Sequence, residues 1–385
     1  MLQGFLDDLR RPMEQFLASL QGIGIETKPM DPSQLPSPKA IQALVSRYSD
    51  TNVIDMLEHT LTVADGFVVT VSCSSHATRA QLHQHLQLFY PLFTTLLNHV
   101  LLCQLHSSLP TVFTFFIDLF KSLKKQIGME FIQSIVTLLL SYTTNPLFDL
   151  SAQSSERLLH LLEVLVSDGQ SHAFIGHVAK IVVEQVGQHI QESTKSDVLH
   201  AFYLLVHTII QRNWAYFWHF SQTPEPYQST SPEAQSQWSQ LIHLVLQPLQ
   251  WQDLSPFNWN ITFLKELEQS HGIFHRVFTP QENYALTAAL LQVLIQRTHQ
   301  LYVEDILDVL WHICNVNTHL FYNDYVREIL HRTAVLSPEQ KTTLSSTLLE
   351  SLCALQNPHR VDYMSFCMHI TDFTRDFKVF SSTNC

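Results

Sequence analysis

Glu156-Arg157-Leu158-Leu159-His160-Leu161-Leu162-Glu163-Val164-Leu165-Val166-Ser167-Asp168-Gly169 is the stretch on which the fold turns. Leu158, Leu159, Leu162, Leu165 and Val166 recur at three- and four-residue intervals, the spacing that lines one face of an α-helix. Glu156, Arg157 and Glu163 lie between them, and Asp168-Gly169 resembles a C-terminal stop, because glycine readily takes the left-handed backbone that closes a helix. Downstream the pattern returns in Val198, Phe202, Leu205, Val206 and Ile209. It appears again in Leu290, Leu291, Leu294 and Ile295, and in Ile306, Val309, Leu310 and Ile313.

Breaks between these runs come at regular intervals. Gly128 is expected to end one helix and Asn145-Pro146 the next. Ser231-Pro232-Glu233 and Ser337-Pro338-Glu339 predict helix starts, with serine as the cap and proline at the first helical position. Asn357-Pro358 is expected to open the last helix, and Ser221 to Ser231, with Pro224 and Pro226, forms a loop. Residues 1–21 read as an N-terminal helix. Residues 22–38 hold Gly22, Gly24, Pro29, Pro32, Pro36 and Pro38, too many helix breakers for anything but a loop or linker. From 39 to 385 the patterning is helical almost without interruption. Helices of about 15 to 20 residues joined by short turns make hairpins of roughly 40 residues, the period of HEAT repeats. The expected fold is therefore all-α, a HEAT-like helical-repeat superhelix, or α-solenoid. Its architectural rival is a globular helical bundle with one shared core.

Composition narrows the function. With 45 % hydrophobic residues, burial can offset the entropy of ordering a 385-residue chain. Only 9 residues are glycine, which disfavours folds that cradle phosphates on glycine-rich loops. The formal charge of −12, from 34 acidic and 22 basic side chains, repels phosphate backbones and argues against nucleic acid as a partner. Cys73, Cys103, Cys314, Cys353, Cys367 and Cys385 contain no CxxC pair, so their scatter fits reduced thiols rather than a zinc ribbon. Met1 to Leu20 carries Asp7, Asp8, Arg10 and Arg11 and reads as an amphipathic helix, not a signal peptide; the Asn260-Ile261-Thr262 sequon is then without consequence. Between Arg79 and Asp118 there is no Asp, Glu, Lys or Arg, yet Gln, His, Asn and Pro interrupt the apolar run. Two buried solenoid helices are expected there, not a membrane span.

Residues that could carry chemistry do not assemble into a motif. His271 and His275 have the four-residue spacing of paired zinc ligands, but Gly272 stands where a zincin has its general base, and spacing indicates no third ligand. His83 and His85 lie beside glutamines, and Glu304-Asp305 fits a solvated face or a cap. GxSxG, Walker and GxGxxG patterns are absent. The expectation is a non-enzyme with no catalytic, cofactor-binding or metal residues. Trp214, Tyr216, Phe217, Trp218 and Phe220, after Asn213, form a dense aromatic cluster expected to pack between repeats, with a partner hot spot as the alternative.

Several segments nevertheless have a familiar order. Phe115-Phe116-Ile117-Asp118-Leu119-Phe120-Lys121-Ser122-Leu123, continuing through Gln126 and Gly128, resembles a segment of the exportins, nuclear transport receptors of the importin-β (karyopherin) superfamily. So do Arg212-Asn213-Trp214-Ala215-Tyr216-Phe217, Leu290-Leu291-Gln292-Val293-Leu294 with His299 beyond, and Ser337 to Phe380 with Gln340-Lys341 and Phe373 to Phe377. The resemblance runs from about Pro38 to Phe380 and is to the C-terminal part of much longer receptors. It implies shuttling between nucleus and cytoplasm, protein cargo (profilin–actin in the branch most similar), binding that depends on Ran-GTP, and nucleoporins as a compatible partner class; nucleic acid and membrane are not implied. The N-terminal repeats that hold the main Ran contact in that family have no counterpart, so no Ran-binding residue is carried over. The alternative is a HEAT-repeat interaction scaffold unrelated to nuclear transport.

Overall fold

The computed structural model describes residues 2–22, 42–43, 45–46, 51–72, 75–103, 105, 107–123, 126–143, 150–167, 174–187, 195–219, 225–353 and 362–382. Among them the fold is all-α, and the β-type pairing is confined to one isolated antiparallel bridge, Trp218 with Ser229. The chain divides into two compact units, Met1–Tyr216 and Phe217–Cys385.

In the first unit, α1 spans Leu2–Gly22, α2 Thr51–Ser72, α3 His76–Leu86, α4 Tyr90–Leu102 and α5 Leu109–Leu123. They are followed by α6 Met129–Thr143, α7 Ala152–Ser167, α8 Ile175–Ile181 and α9 Ser196–Arg212. Two layers result. In one, α1 packs on α2, α2 on α5, α5 on α7 and α7 on α9; in the other, α4 packs on α6 and α6 on α8. Because α5, α7 and α9 start at Leu109, Ala152 and Ser196, the unit repeats about every 43 residues, as a HEAT-type hairpin does. That is the helical-repeat architecture anticipated from the spacing.

The apolar faces read from the sequence are the ones buried. Met13, Phe16 and Leu20 of α1, all five residues of the Leu158–Val166 stripe, and Val198, Phe202, Leu205, Val206 and Ile209 of α9 are inaccessible or nearly so. Rings fill the space between layers: Tyr90 stacks on Phe131 at 4.0 Å between centroids, and Phe93 meets Phe115 at 4.8 Å. Burying each such side chain stabilises the fold by about 1.5–3 kcal/mol. The buried Asn213 amide donates to the Val166 carbonyl at 3.1 Å, satisfying one of the last acceptors of α7.

The second unit contains α10 Pro232–Leu246, α11 Leu254–His271, α12 Pro280–Gln296, α13 Val303–Val316, α14 Arg327–Arg332, α15 Pro338–Cys353 and α16 Tyr363–Ser382. Here α13 packs between α11 and α16, and α12 lies against α13, α16 and the π-helical turn Leu320–Val326. Phe217 and Trp218 pack edge-on against Trp238 of α10, at 5.7 and 5.3 Å. The Pro-rich loop that precedes α10 is pinned at Tyr227, whose backbone N–H donates to the Arg276 carbonyl at 2.8 Å while the Arg276 guanidinium lies 3.8 Å from its ring centroid.

Expected caps are present at two sites. Ser231 Oγ accepts from Ala234 N at 3.1 Å with Pro232 at the first helical position, and Ser337 and Gln340 cap each other reciprocally. Other boundaries differ from expectation. The last helix opens at Tyr363 rather than at Asn357-Pro358, because Asp362 supplies the cap, its carboxylate accepting from the Ser365 N–H at 3.0 Å; residues 354–361 lie outside the described residues. Gly128, with φ 84°, precedes α6 instead of closing α5, and its carbonyl accepts from Ile132 N. The charge-free stretch contributes to three helices (α3, α4 and α5) rather than two, with a 3-10 turn at Gln87–Phe89 separating α3 from α4. Of the expected linker at 22–38 only Gly22 is described, as the last residue of α1. Asn145-Pro146 and Asp168-Gly169 also lie outside the described residues.

Candidate protein-binding surface

The residues that tempt a chemical reading are separated by the fold. His271 is the last residue of α11, Gly272 follows with φ 63°, and His275 sits in the next turn, so the two imidazoles do not share a helix face. Burial lowers the His271 pKa and the Arg276 charge lowers it further. His83 Nδ1 is 2.9 Å from the Tyr90 hydroxyl. No group of three His, Cys, Asp or Glu side chains among the described residues could hold a metal ion. Asn260 of the sequon is fully buried, its amide donating to the Pro256 carbonyl at 2.7 Å, so the folded chain presents no amide there for glycosylation. Cys103 and Cys314 are buried free thiols, and burial pushes Cys103 up to about 11 and Cys314 to about 12. Within the aromatic cluster Trp214, Phe217 and Trp218 are buried, as packing requires; Phe220 lies outside the described residues.

The Glu304-Asp305 pair has a definite environment. It lies in the first turn of α13, where carboxylates are favoured by the helix dipole. Asp305 accepts from the Lys265 ammonium of α11 at 2.7 Å, and Asp308, one turn on, approaches the same ammonium at 3.1 Å. Burial alone would lower the Lys265 pKa, but these two carboxylates outweigh it and the net shift is upward. His312 lies 3.8 Å from Glu268 and 3.7 Å from Asp308, distances at which it adds an ion pair only when protonated. The sequence did not reveal Lys265 as the partner of Asp305, 40 residues away, and no local pattern could have done so.

Beside this network stands the start of α16. Tyr363 packs edge-on against Trp311 of α13, 5.8 Å between centroids, and Phe366 lies beneath at 5.4 Å from Trp311. The Tyr363 hydroxyl is pushed up to about 12, first by burial, then by its hydrogen bond to Cys367, the Cys367 thiol, and the negative charges of Asp308 and Glu304. The helix buries Phe366, Ile370, Phe373 and Phe377 on one side and leaves Met364 and Met368, 75 % and 58 % accessible, on the other. The arrangement offers a solvent-facing surface of carboxylates and large apolar groups. No described helix is long and apolar enough to cross a membrane.

Comparison with known proteins finds what the sequence is similar to. Residues 210–383 match the model of the exportin-6 C-terminal TPR repeats. The chain is 28 % identical over 246 residues to exportin-6 of Danio rerio, covering 60 % of this chain and 22 % of that protein. It is 27 % identical over 303 residues to exportin-6-A of Xenopus laevis, 74 % and 26 % of the two chains, and 25 % identical over 311 residues to exportin-6 of Homo sapiens, 77 % and 27 %. The alignments thus span about a quarter of the length of the curated relatives. TPR and HEAT units are both stacked helical hairpins; successive first helices here, at Pro232 and Pro280, are spaced more widely than the 34 residues of a TPR. From fish to human, exportin-6 proteins are similar to this all-helical chain over 60–77 % of its length, and residues 210–383 match the C-terminal repeats described for exportin-6.

Proposed function

We propose that the chain is a protein-binding section of a nuclear export receptor, which takes profilin–actin as cargo and is coupled to Ran-GTP. The observation that carries the reading is the match of residues 210–383 to the exportin-6 C-terminal repeats. Stacked hairpins support it physically: each repeat contacts only its neighbours, so the array offers an extended surface suited to a large folded cargo. Stable capture needs an interface of about 1,000 Å² or more. In such a receptor the chemistry belongs to Ran, and the repeats contribute binding free energy alone. Cargo and Ran-GTP then strengthen one another's binding by the same factor, as linkage requires.

The test is a pull-down of profilin–actin on the purified chain, with and without GTP-loaded Ran. Capture that rises when Ran-GTP is present is the expected result. Capture indifferent to Ran would leave cargo contacts in this chain while removing Ran coupling from it. Absence of capture in both conditions, with the protein folded by circular dichroism, would overturn the cargo assignment and favour a scaffold outside nuclear transport.

A further inference from the structure

Exposed large apolar residues on the described surface are mostly solitary: Leu88, Leu204 and Leu254 each stand on a different helix or turn. The exception is the first two turns of α16. Tyr363, Met364 and Met368 are all exposed there, and the four-residue step from 364 to 368 aligns the two thioethers along the helix. Methionine is flexible and polarisable, so such a pair adapts to an apolar side chain laid against it. The charges that bear on it are mainly acidic, and Arg375, two turns beyond Met368, is already paired with Asp372 and Asp376. Glu304 and Asp308 of α13 act on Tyr363, Asp308 acts on Cys367, and the exposed Asp362 caps the helix. Asp305 and Glu268 extend the acidic zone toward α11, where Lys265 is its single lysine.

We propose that this α13–α16 face binds a basic amphipathic segment of a protein partner, with one or two large apolar side chains over Met364 and Met368 and flanking Lys or Arg against Glu304, Asp308 and Asp362. Charge selects this occupant. A second copy of the chain, formally −12, would bring like charges together, whereas Lys or Arg gains from the exposed Glu304 and Asp362 and from Asp308, which shares Lys265 with Asp305. Apolar contact supplies affinity, and charge supplies orientation and encounter rate. The inference goes beyond the transport reading and needs neither Ran nor profilin–actin to be tested.

The experiment is fluorescence anisotropy of the whole chain with a labelled 15-residue helical peptide carrying two leucines four residues apart between lysines. A counterpart with glutamates in place of the lysines is the control. The lysine peptide is expected to bind, and the glutamate peptide to bind at least about tenfold more weakly. Affinity should fall as salt rises through the Debye-length range of about 10 Å to 3 Å. Met364→Lys combined with Met368→Lys is expected to weaken binding by about tenfold or more at an unchanged melting temperature. Glu304→Gln should weaken it less, while Leu88→Lys, in the other unit, should leave it unchanged. Equal binding of both peptides, or of the parent and the double-lysine variant, would overturn the proposal. So would a concentration-dependent dimer in sedimentation that disperses in the double-lysine variant, since the occupant would then be a second copy.

Discussion

At the scale of single residues, the closest constraint is one of space. A Cβ added at Gly176, in the first turn of α8, would lie 2.6 Å from the Tyr216 hydroxyl and 3.3 Å from the ring carbon bearing it. Real side chains do not approach so closely, so either the ring or the helix must move. Gly176→Ala is therefore expected to lower stability by about 1–3 kcal/mol in urea unfolding. Combining it with Tyr216→Leu, which removes the hydroxyl and the ring carbon, should recover part of that loss. Additive costs in the double variant would sink the steric explanation. The sequence marks Tyr216 as one of an aromatic cluster but gives no sign that a glycine 40 residues earlier receives it. Hydrophobic spacing reports which face of a helix is buried, not which atom it meets. Trp214, Phe217 and Trp218 were legible as core for the same reason: bulk and periodicity suffice to predict burial.

At the scale of elements, boundaries are decided by caps, and α12 carries the most complete one. Thr279 Oγ1 accepts from Glu282 N at 3.2 Å, the Glu282 carboxylate accepts from Thr279 N at 2.7 Å, and Pro280 occupies the first helical position. Thr279→Ala removes one half of this reciprocal pair and is expected to cost about 1 kcal/mol in thermal or urea unfolding. Glu282→Ala should cost a comparable amount, and the double variant less than the two costs together, because each alone already breaks the box. A Thr279→Ala variant as stable as the parent would show that tertiary packing alone holds α12 in place. Ser231-Pro232 and Ser337-Pro338 were readable in the sequence because the cap and the proline are adjacent. The start of α16 was misplaced because Asn357-Pro358 offers the same dipeptide chemistry, while Asp362, with no proline after it, does the capping. The π-helical turns Val182–Val186 and Leu320–Val326 leave too little trace in apolar spacing to be seen before folding. The candidate surface was half legible: Glu304-Asp305 stood out as an acidic pair, but its neighbours Tyr363, Met364 and Met368 arrive from another helix some 60 residues on, and only packing joins them.

At the scale of the whole molecule the governing quantity is charge and how it changes with pH. The formal −12 was readable at once, and it argued against phosphate backbones as the main partner before any helix was placed. Not readable was that a buried histidine and a half-buried carboxyl group of the first unit oppose one another in acid. His99 is buried in α4, and burial lowers its pKa to about 4 from 6.5. The unfolded chain therefore binds this proton first, so the stability tied to neutral His99 is complete above pH 6.5 and is lost as pH falls toward 4. Asp65 of α2 is raised to about 6 from 3.8, first by burial, then by the charge of Asp118 on α5 and the hydrogen bond between the two carboxyl groups. Here the folded chain holds the proton more tightly, so the stabilising contribution is complete below pH 3.8 and is lost as pH rises through 6. The two slopes oppose each other between about pH 4 and 6, the range the cited shifts share. Asp65→Asn keeps a carboxamide that can hydrogen-bond to Asp118 and removes the titration. The variant is expected to be more stable than the parent at pH 7.5, by about 1 kcal/mol after allowing for the partial exposure of Asp65 to solvent. That gap should close steadily between pH 6 and 4 as the parent's carboxyl takes up its proton. With Asp65 silent, the fall in stability from pH 6.5 to 4 that belongs to His99 should also become steeper in the variant than in the parent. Urea midpoints at pH 7.5, 6 and 4.5 measure both effects. A difference between the proteins that does not vary with pH would mean that Asp65 and Asp118 do not share a proton in the folded chain.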